Sequence, residues 1–340
     1  MEEGLGAILD RLDRARVVIL GDLIIDQYIW GKVKRISPEA PIPVVEVVRE
    51  SFSPGGAANV ASNLRALGAS VEICGIVGDD PYGRMLLSML IEKGIDTRFV
   101  VTDAGRPTIL KTRIIAHRQQ VVRVDREDTR LIEGKGLQEM KEHLQAAIPS
   151  ADAVILEDYG KGVIQEGLLR EIIPMARGLG KIVTVDPKRN HFDFYQDVTA
   201  ITPNRQEAEE ATGMQISDGK GLREVGIRLM ESLRCEAVLI TMGDQGMCLF
   251  EAGEPPLEIP ARAREVYDVS GAGDTVIAVF TAALVVGATF REAAVLSNLA
   301  GGLVVEKLGT AVVTSEEIRA RLELDQVATD AVTGTPRPPQ

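Results

Sequence analysis

Short apolar runs alternate with longer amphipathic segments along most of the chain. The apolar runs lie at residues 16–22, 71–78, 153–156, 182–185 and 237–241. Segments with apolar residues at helical spacing lie between them, at 136–147, 165–179 and 222–233. Continuous apolar strands are typical of a parallel sheet that is covered by helices on both faces. The pattern therefore predicts an α/β fold with a doubly wound, mostly parallel sheet.

Two segments, 28–52 and 97–126, interrupt this alternation. Both are rich in β-favouring residues, and the first is bounded by prolines. They predict a small antiparallel subdomain, a β-rich lid, attached to the main sheet. Because the chain contains no repeat and no interdomain linker, we predict one domain over residues 1–327. The proline-rich segment 328–340 is predicted to be a disordered tail.

Two glycine-rich turns precede predicted helices. The sequence PGGAAN at 54–59 leads into a helix that ends near Gly68. A β-favouring run at 265–269 leads into DVSGAGDT at 268–275, which is followed by an apolar helix at 276–284. The first turn of a helix has unpaired N–H groups and binds anions, and glycines let a ligand come close to the backbone. This second turn is therefore a candidate phosphate site, with Asp274 placed to accept a proton.

Composition and charge exclude several classes of function. Of the 340 residues, 45% are hydrophobic and 26% charged, as in soluble globular proteins. A net charge of −12 argues against nucleic acid as the main partner. No apolar run approaches the ~18 residues of a membrane span, and the first residues do not resemble a signal peptide. The three cysteines and three histidines lack metal-ligand spacing. We therefore expect a cytoplasmic protein without membrane attachment.

Polar residues follow successive predicted strands. The ends of parallel strands share one edge of the sheet, so these side chains are expected to converge on one cleft. They are Asp22, Asp26, Asp158, Asp186, Lys188, Asn204, Glu207, Thr241, Gly243 and the stretch 268–274. The P-loop motif and the third glycine of a dinucleotide fingerprint are both missing from the sequence. A helix start that binds anions, beside a carboxylate, suits phosphoryl transfer to a hydroxyl.

Simpler interpretations remain open for each of these features. Asp22 and Asp26 can equally be turn or capping residues. Gly271–Asp274 can be a glycine-rich helix entry with an acidic cap. The second β-rich segment carries several basic residues, which form either a solvated strand face or a site for an anionic substrate. They are Lys111, Arg113, Arg118, Arg123 and Arg126.

Over about residues 14–322 the chain resembles the ribokinase-like (PfkB) sugar kinases. PGGAAN at 54–59 is similar to the N-terminal signature of that family, and DVSGAGDT at 268–275 to its C-terminal signature. The resemblance implies a ribokinase-like fold, ATP and Mg²⁺ as cofactors, and Asp274 as the catalytic base. It also implies that Gly271, Ala272 and Gly273 form an anion hole.

The resemblance implies further site residues. Asn204 and Glu207 are similar to the family's N-x-x-E, with Glu207 organising Mg²⁺ through water. Other nucleotide-side positions are Thr241, Gly243, Gly246, Asp268, Asn298 and Gly302. Sugar-side positions are Asp26, Gly55, Gly56 and Asn59. Asp268, Ser270 and Gly309 resemble a loop that binds a monovalent cation such as K⁺. In this family the lid often pairs between subunits, so we expect a homodimer.

Within the family, RISPEAPIPVV at 35–45, QQVVRVD at 119–125 and EDYGKG at 157–162 resemble the heptose 7-phosphate kinases of lipopolysaccharide-core synthesis. A phosphorylated acceptor would then explain the basic lid. The implied substrate-binding set is Lys111, Arg113, Arg123, Asp125, Asp158 and Lys161. Kinases of this group are often fused to a nucleotidyltransferase, whose H-x-G-H motif is absent here. We therefore expect a separate phosphatase and a separate nucleotidyltransferase to act downstream.

The sequence leaves two other functions open. One is another sugar or nucleoside kinase of the same family, of phosphofructokinase or ribokinase type. The other is a catalytically silent sugar-binding regulator, against which the complete sets at 204–207 and 271–274 argue.

Overall fold

The computed structural model describes residues 2–117, 119–263, 265–307 and 309–333, and the side chains of 4–117, 119–263, 265–307 and 309–324. Within these ranges, nine strands form one sheet in the order β13-β12-β11-β10-β9-β8-β1-β4-β5. Their bounds are β1 (Arg16–Gly21), β4 (Ser70–Gly78), β5 (Val100–Asp103), β8 (Ala153–Glu157), β9 (Ile182–Asp186), β10 (Ala200–Ile201), β11 (Ala237–Thr241), β12 (Met247–Glu251) and β13 (Leu257–Ile259). The pairs from β5 to β11 are parallel, and β12 and β13 add an antiparallel edge.

Helices cover both faces of this sheet, as the continuous apolar strands predict. Alternate residues of β1 belong to different cores: Ile19 packs with the helices of one face and Leu20 with those of the other. One layer contains α1 (Glu2–Leu9), α2 (Ala57–Ala66), α3 (Pro81–Glu92), α8 (Ala272–Val285), α9 (Phe290–Val305) and α10 (Ser315–Thr333). The other contains α4 (Gly134–Ala147), α5 (Glu166–Gly178), α6 (Arg205–Thr212) and α7 (Gly219–Leu233).

A second sheet of four strands forms the lid, in the order β3-β2-β6-β7. Its strands are β2 (Leu23–Ile36), β3 (Pro43–Gly56), β6 (Ile109–Ala116) and β7 (Gln119–Arg126). The first lid strand, β2, follows directly after β1, and β3 leads directly into α2. Because β3 and α2 join at residues 56–57, the lid is fixed to the edge of the main sheet at its carboxyl ends.

The structure corrects four details of the sequence analysis. The lid is mixed rather than antiparallel, since β2 and β6 are parallel. The start of the predicted lid segment 97–126 belongs to the main sheet, because β5 pairs with β4. The β-favouring run at 265–269 forms no strand among the residues described there. The last helix continues to Thr333, past the predicted tail boundary at 328. Residues 334–340 lie outside the described part, so disorder there stays a prediction.

None of the helices that the structure describes is long and apolar enough to cross a bilayer.

Gly226 marks a close approach between α7 and the sheet. A Cβ at this position would overlap the ring of Phe250, which is buried on β12. Gly226→Ala should therefore lower the free energy of unfolding by about 1–3 kcal/mol, because overpacking outweighs the better helix propensity of alanine. Chemical denaturation measures the change.

Gly167→Ala is the matched control, since Gly167 lies in α5 and a Cβ there meets nothing within 4 Å. We expect unchanged or slightly higher stability in this variant. Equal effects of the two substitutions would contradict the packing assigned to Gly226.

Candidate active site

Three cavities lie in series along the carboxyl edge of the main sheet. The first, of about 260 Å³, is lined mainly by apolar residues and glycines of β12, α8, α9 and the loops that precede β12 and α8, and we call it the apolar cavity. The second, of about 280 Å³, contains Asp158, Asp186, Glu207 and Asp274 and is called the acidic cavity. The third, of about 80 Å³, lies under the lid and is called the lid cavity.

The turn at the start of α8 connects all three cavities. Ala272 and Gly273 line both the apolar and the acidic cavity, whereas Gly271 and Asp274 line both the acidic and the lid cavity. The cavities can therefore hold one continuous arrangement of ligands that bends around this helix start. The N–H groups of a first helical turn favour the most negative part of that arrangement.

Asp274 is held on both sides of its carboxylate. One oxygen accepts a hydrogen bond from Asn59 Nδ2 at 2.6 Å and the other from the Tyr159 hydroxyl at 3.0 Å. Gly271 caps the helix at φ +78°, and a Cβ there would come within 2.6 Å of Asn59 Nδ2. Glycine is therefore required at residue 271 both by its backbone conformation and by the space that Asn59 occupies.

Burial raises the pKa of Asp274 to about 6, and the hydrogen bonds from Asn59 and Tyr159 oppose that rise. A carboxyl group with a pKa near 6 is largely ionised at neutral pH and is still basic enough to accept a proton. The surroundings of Asp274 are therefore compatible with a role as general base.

Asp22 holds the loop that carries Tyr159. Its fully buried carboxylate accepts hydrogen bonds from three backbone N–H groups, those of Tyr159, Lys161 and Val163, at 3.0–3.2 Å. Burial nevertheless raises its pKa to about 6. Of the alternatives that the sequence leaves open, the structure supports a turn-fixing role for Asp22.

A group of carboxylates lies behind the base. Oxygen atoms of Glu157, Asp186 and Asp274 all lie within 4.8 Å of one another. Both Glu157 oxygens are buried and have no hydrogen-bond partner among the described residues. Burial, followed by the charge of Asp186, raises the pKa of Glu157 well above its usual value, and burial with the charge of Glu207 does the same for Asp186. Uncompensated oxygen ligands of this kind fit a divalent cation such as Mg²⁺.

The predicted nucleotide-side residues lie around the apolar and acidic cavities. Thr241, Gly243, Gly246, Asn298 and Gly302 all line the apolar cavity. Asn298 Nδ2 donates to the Pro260 carbonyl at 2.8 Å, which fixes one wall of that cavity.

Asn204 and Glu207 line the acidic cavity. They also form a capping box at the start of α6, because each side chain accepts a hydrogen bond from the other's backbone N–H. The N-x-x-E spacing thus has a structural role as well as a place in the site.

The lid cavity is lined by four of the ten predicted sugar-side and substrate-binding residues. Asp26, Gly56, Lys111 and Arg113 line it together with Asp274. A Cβ at Gly55 would overlap the Asp26 carboxylate, so glycine there gives Asp26 its position. Asp26 and Arg113 form an ion pair with side chains only 7% and 15% exposed.

Lys111 lies with its Nζ 4.9 Å from the centre of the Tyr159 ring. Its pKa is lowered, mainly by burial. No ion pair of Lys111 is found among the residues whose side chains are described. It is thus a half-buried cation close to the base.

Four predicted substrate-side residues have other contacts. Arg123 and Asp125 pair with each other on β7 and line none of the three cavities, and Lys161 pairs with Glu127 at 2.8 Å. Asp158 has a fully buried side chain that accepts hydrogen bonds from Tyr195, His191 and the Gly160 N–H. We therefore revise its expected role from sugar ligand to organiser of the neighbouring loop. Arg118 lies outside the described residues.

The predicted cation loop is closed by Asp268. Its two oxygens accept hydrogen bonds from the backbone N–H groups of Ser270 at 2.9 Å and Gly309 at 3.1 Å. Asp268 therefore connects the glycine turn to the end of α9, while Ser270 lines the lid cavity.

A family model of known proteins, described as pfkB family carbohydrate kinase, matches residues 14–317. The chain belongs to the pfkB family of carbohydrate kinases. It is therefore a sugar kinase, a phosphotransferase with an alcohol group as acceptor, as the two glycine-rich signatures indicate.

Several curated relatives carry the name bifunctional protein HldE. The protein from Desulfatibacillum aliphaticivorans is 44% identical over 316 residues, which cover 93% of this chain and 65% of that protein. The protein from Wolinella succinogenes is 46% identical over 312 residues, with 92% and 65% covered. The chain thus spans slightly less than two thirds of the length of these relatives.

Solved structures share the fold of this kinase. Arabidopsis thaliana ribokinase, complexed with ribose and ATP, has a TM-score of 0.72 at 19% identity, covering 91% of this chain and 98% of that one. Phosphofructokinase-2 from Escherichia coli, in complex with substrates and products, has a TM-score of 0.77 at 17% identity, covering 91% and 99%. The ribokinase-like fold is therefore confirmed.

Some residues of the site are not evident from sequence patterns. Tyr159 lies in the segment EDYGKG, but the sequence assigns it no role, because its contact with Asp274 joins residues 115 positions apart. The strand ends do place Glu157 and Asp186 at this edge, but their mutual approach depends on the parallel register of β8 and β9.

The hydrogen bond from Tyr159 gives a prediction about pH. In the wild-type kinase, kcat/KM should fall as the pH drops through about 6, because Asp274 must be ionised to accept a proton. Tyr159→Phe removes a donor to the ionised form and therefore raises the pKa of Asp274. The acid limb of the pH profile should move up by roughly one unit.

Tyr82→Phe is the matched control, because Tyr82 lies on α3 and lines none of the three cavities. The pH profile of kcat/KM in this variant should equal that of the wild type. An acid limb that stays in place in Tyr159→Phe would show that Tyr159 does not set the protonation of the base.

Proposed function

We propose that this kinase transfers the γ-phosphoryl group of ATP to O1 of D-glycero-β-D-manno-heptose 7-phosphate, giving the 1,7-bisphosphate. The observation that carries the proposal is the pair Lys111 and Arg113 in the lid cavity, on the opposite side of Asp274 from the nucleotide cavities. In a protein with a net charge of −12, a half-buried lysine beside the acceptor site suits a sugar that already carries a phosphate, and Arg113 lies next to it in an ion pair with Asp26. The resemblance to heptose 7-phosphate kinases and the HldE relatives support the same substrate.

In the proposed reaction, Asp274 accepts the proton of the acceptor hydroxyl. The sugar oxygen then forms a bond to the γ-phosphorus, and the bond between that phosphorus and the β,γ-bridging oxygen of ATP breaks. Asn59 and Tyr159 keep the carboxylate oriented in the lid and acidic cavities. The N–H groups of Gly271–Gly273 stabilise the negative charge on the transferred group, as an anion hole does.

The nucleotide is proposed to place its base in the apolar cavity and its phosphates in the acidic cavity. Asp186 and Glu207, with Glu157 beside Asp186, would hold Mg²⁺, and Glu207 would do so through water. Bound Mg²⁺ supplies charge neutralisation at the phosphates. The loop of Asp268, Ser270 and Gly309 is the proposed position of a K⁺ ion.

The remaining parts of the proposal concern the surroundings of the reaction. The lid exposes apolar residues, among them Val47, Val48 and Val124, each more than half exposed. Covering them suits pairing of two lids in a homodimer. We place the enzyme in the cytoplasm, where its product would pass to a phosphatase and then to a nucleotidyltransferase.

The direct test is ADP release from ATP with heptose 7-phosphate, fructose 6-phosphate and ribose as acceptors. We expect the highest kcat/KM with heptose 7-phosphate. A preference for fructose 6-phosphate or ribose would assign the protein to another type of kinase in the family. No ADP release with any acceptor would favour a silent sugar-binding protein.

Asp274→Asn tests the base. This substitution keeps the size of the side chain but removes the proton acceptor, so kcat should fall by roughly 10²–10⁴-fold. Binding of ATP, measured by calorimetry, should be largely retained because Asp274 faces the acceptor. Near-normal turnover would exclude Asp274 as the base.

Lys111→Ala tests the phosphate site of the acceptor. KM for the phosphosugar should rise roughly tenfold or more through loss of a charged contact, with a smaller change in kcat. Lys34→Ala is the control, because Lys34 is an exposed lid residue paired with Glu46. Arg123→Ala, at a predicted site residue that lines no cavity, should have a smaller effect than Lys111→Ala. An unchanged KM in Lys111→Ala would remove this residue from the site.

A further inference from the structure

The acidic cavity contains a cation to which no role has been given so far. Lys188 lines this cavity with Asn204, Glu207 and the Gly271–Gly273 turn. No other lysine or arginine lines it among the residues that the structure describes. The Lys188 side chain is exposed, and the described residues offer it no ion-pair partner. Burial raises the pKa of the Asp186 and Glu207 carboxyls, and the positive charge of Lys188 opposes that rise.

The main chain at Lys188 is fixed, although its side chain is exposed. The Lys188 N–H donates to the Tyr195 hydroxyl at 3.2 Å, and the Lys188 carbonyl accepts from the His191 N–H at 3.0 Å. The Tyr195 hydroxyl in turn donates to Asp158 Oδ2 at 2.5 Å, and His191 Nδ1 lies 2.6 Å from the same oxygen. Tyr195 and the Asp158 carboxylate are both fully buried. Three side chains, two of them fully buried, thus fix the main chain at Lys188.

The loop after β8, which carries Asp158 and Tyr159, also passes close to the stem of Lys188. Gly160 has φ +68°, and a Cβ built on it would lie 3.4 Å from Lys188 Cγ. Its neighbour Tyr159 donates to Asp274. One loop therefore donates a hydrogen bond to Asp274 and lies beside the stem of Lys188.

We propose that Lys188 contacts the transferred phosphoryl group, and that Asp158 and Tyr195 are positioning residues for it. The inference rests on the proposed use of the acidic cavity for the phosphates of ATP. A cation is needed there because several carboxylates line the cavity and would otherwise repel a polyphosphate. The ammonium group stabilises charge on the phosphoryl oxygens and takes no part in bond making or breaking.

Lys188→Met tests the contact, since methionine keeps an unbranched apolar stem without the charge. We expect kcat to fall by roughly 100-fold, the effect of losing one donor to a charged transition state. Affinity for the non-hydrolysable analogue β,γ-imido-ATP should fall roughly tenfold or more, and affinity for ADP should change less. Lys188→Arg, which keeps a positive charge, should retain part of the kcat and part of the affinity for β,γ-imido-ATP. Lys220→Met, at an exposed residue of α7, should behave as wild type.

Unchanged kcat and unchanged β,γ-imido-ATP affinity in Lys188→Met would overturn the proposal. The measurement of β,γ-imido-ATP affinity needs no acceptor sugar. Its result therefore does not depend on whether heptose 7-phosphate is the substrate. If the wild type releases no ADP with heptose 7-phosphate while Lys188→Met still weakens β,γ-imido-ATP binding, the proposed substrate fails and the lysine contact stands.

Tyr195→Phe tests the positioning role. Removing the hydroxyl should lower kcat roughly tenfold, and the double variant with Lys188→Met should be no slower than Lys188→Met alone, because both changes act through the same lysine. A Tyr195→Phe variant with a lower melting temperature and an unchanged kcat would reduce Tyr195 to a purely structural role. If the decreases in kcat caused by the two single substitutions multiply in the double variant, Tyr195 does not act through Lys188.

Discussion

The active site depends on the burial of several carboxylates at one edge of a parallel sheet. Glu157 and Asp186 end neighbouring strands, and Asp274 lies opposite them on α8. Buried charges of the same sign are costly unless hydrogen bonds, protons or cations compensate them. The surrounding structure consists largely of such compensation: backbone N–H groups for Asp22, Tyr195 and His191 for Asp158, and Asn59 with Tyr159 for Asp274. Glu157 and Asp186 are the least compensated of the group, which is why a divalent cation fits beside them.

This arrangement connects the fold to the proposed chemistry. The loop after β8 is fixed by Asp22, contacts the base through Tyr159 and fixes the loop after β9 through Asp158. The start of α8 lies between the acidic cavity and the lid cavity, so in the proposed reaction donor and acceptor would meet at Asp274. The lid adds a half-buried lysine and a buried ion pair to a part of the molecule that is otherwise acidic. Under the proposed function, these cations would reduce the repulsion between ATP and a phosphorylated acceptor.

Much of this could be predicted from the sequence, because the signals are local. Apolar runs define the parallel strands, and glycines at 55, 56, 271 and 273 mark the two chain segments beside the acidic and lid cavities. The features that could not be predicted from the sequence depend on contacts between residues far apart in the chain. The place of β5 in the main sheet depends on its partner β4, and the direction of the Asp158 carboxylate on Tyr195 and His191. Arg123 and Arg113 look equivalent on their strands, yet only Arg113 faces a buried carboxylate.

The central claim is that Asp274 directs the γ-phosphoryl group to the anomeric hydroxyl of a sugar that is already phosphorylated. Phosphorus NMR of the product formed from ATP and heptose 7-phosphate tests it most directly. We predict two sugar phosphate signals of equal intensity, one of the original 7-phosphate and one coupled to the anomeric proton. A new phosphate on any other carbon, or a spectrum with only the original sugar phosphate, would contradict the account.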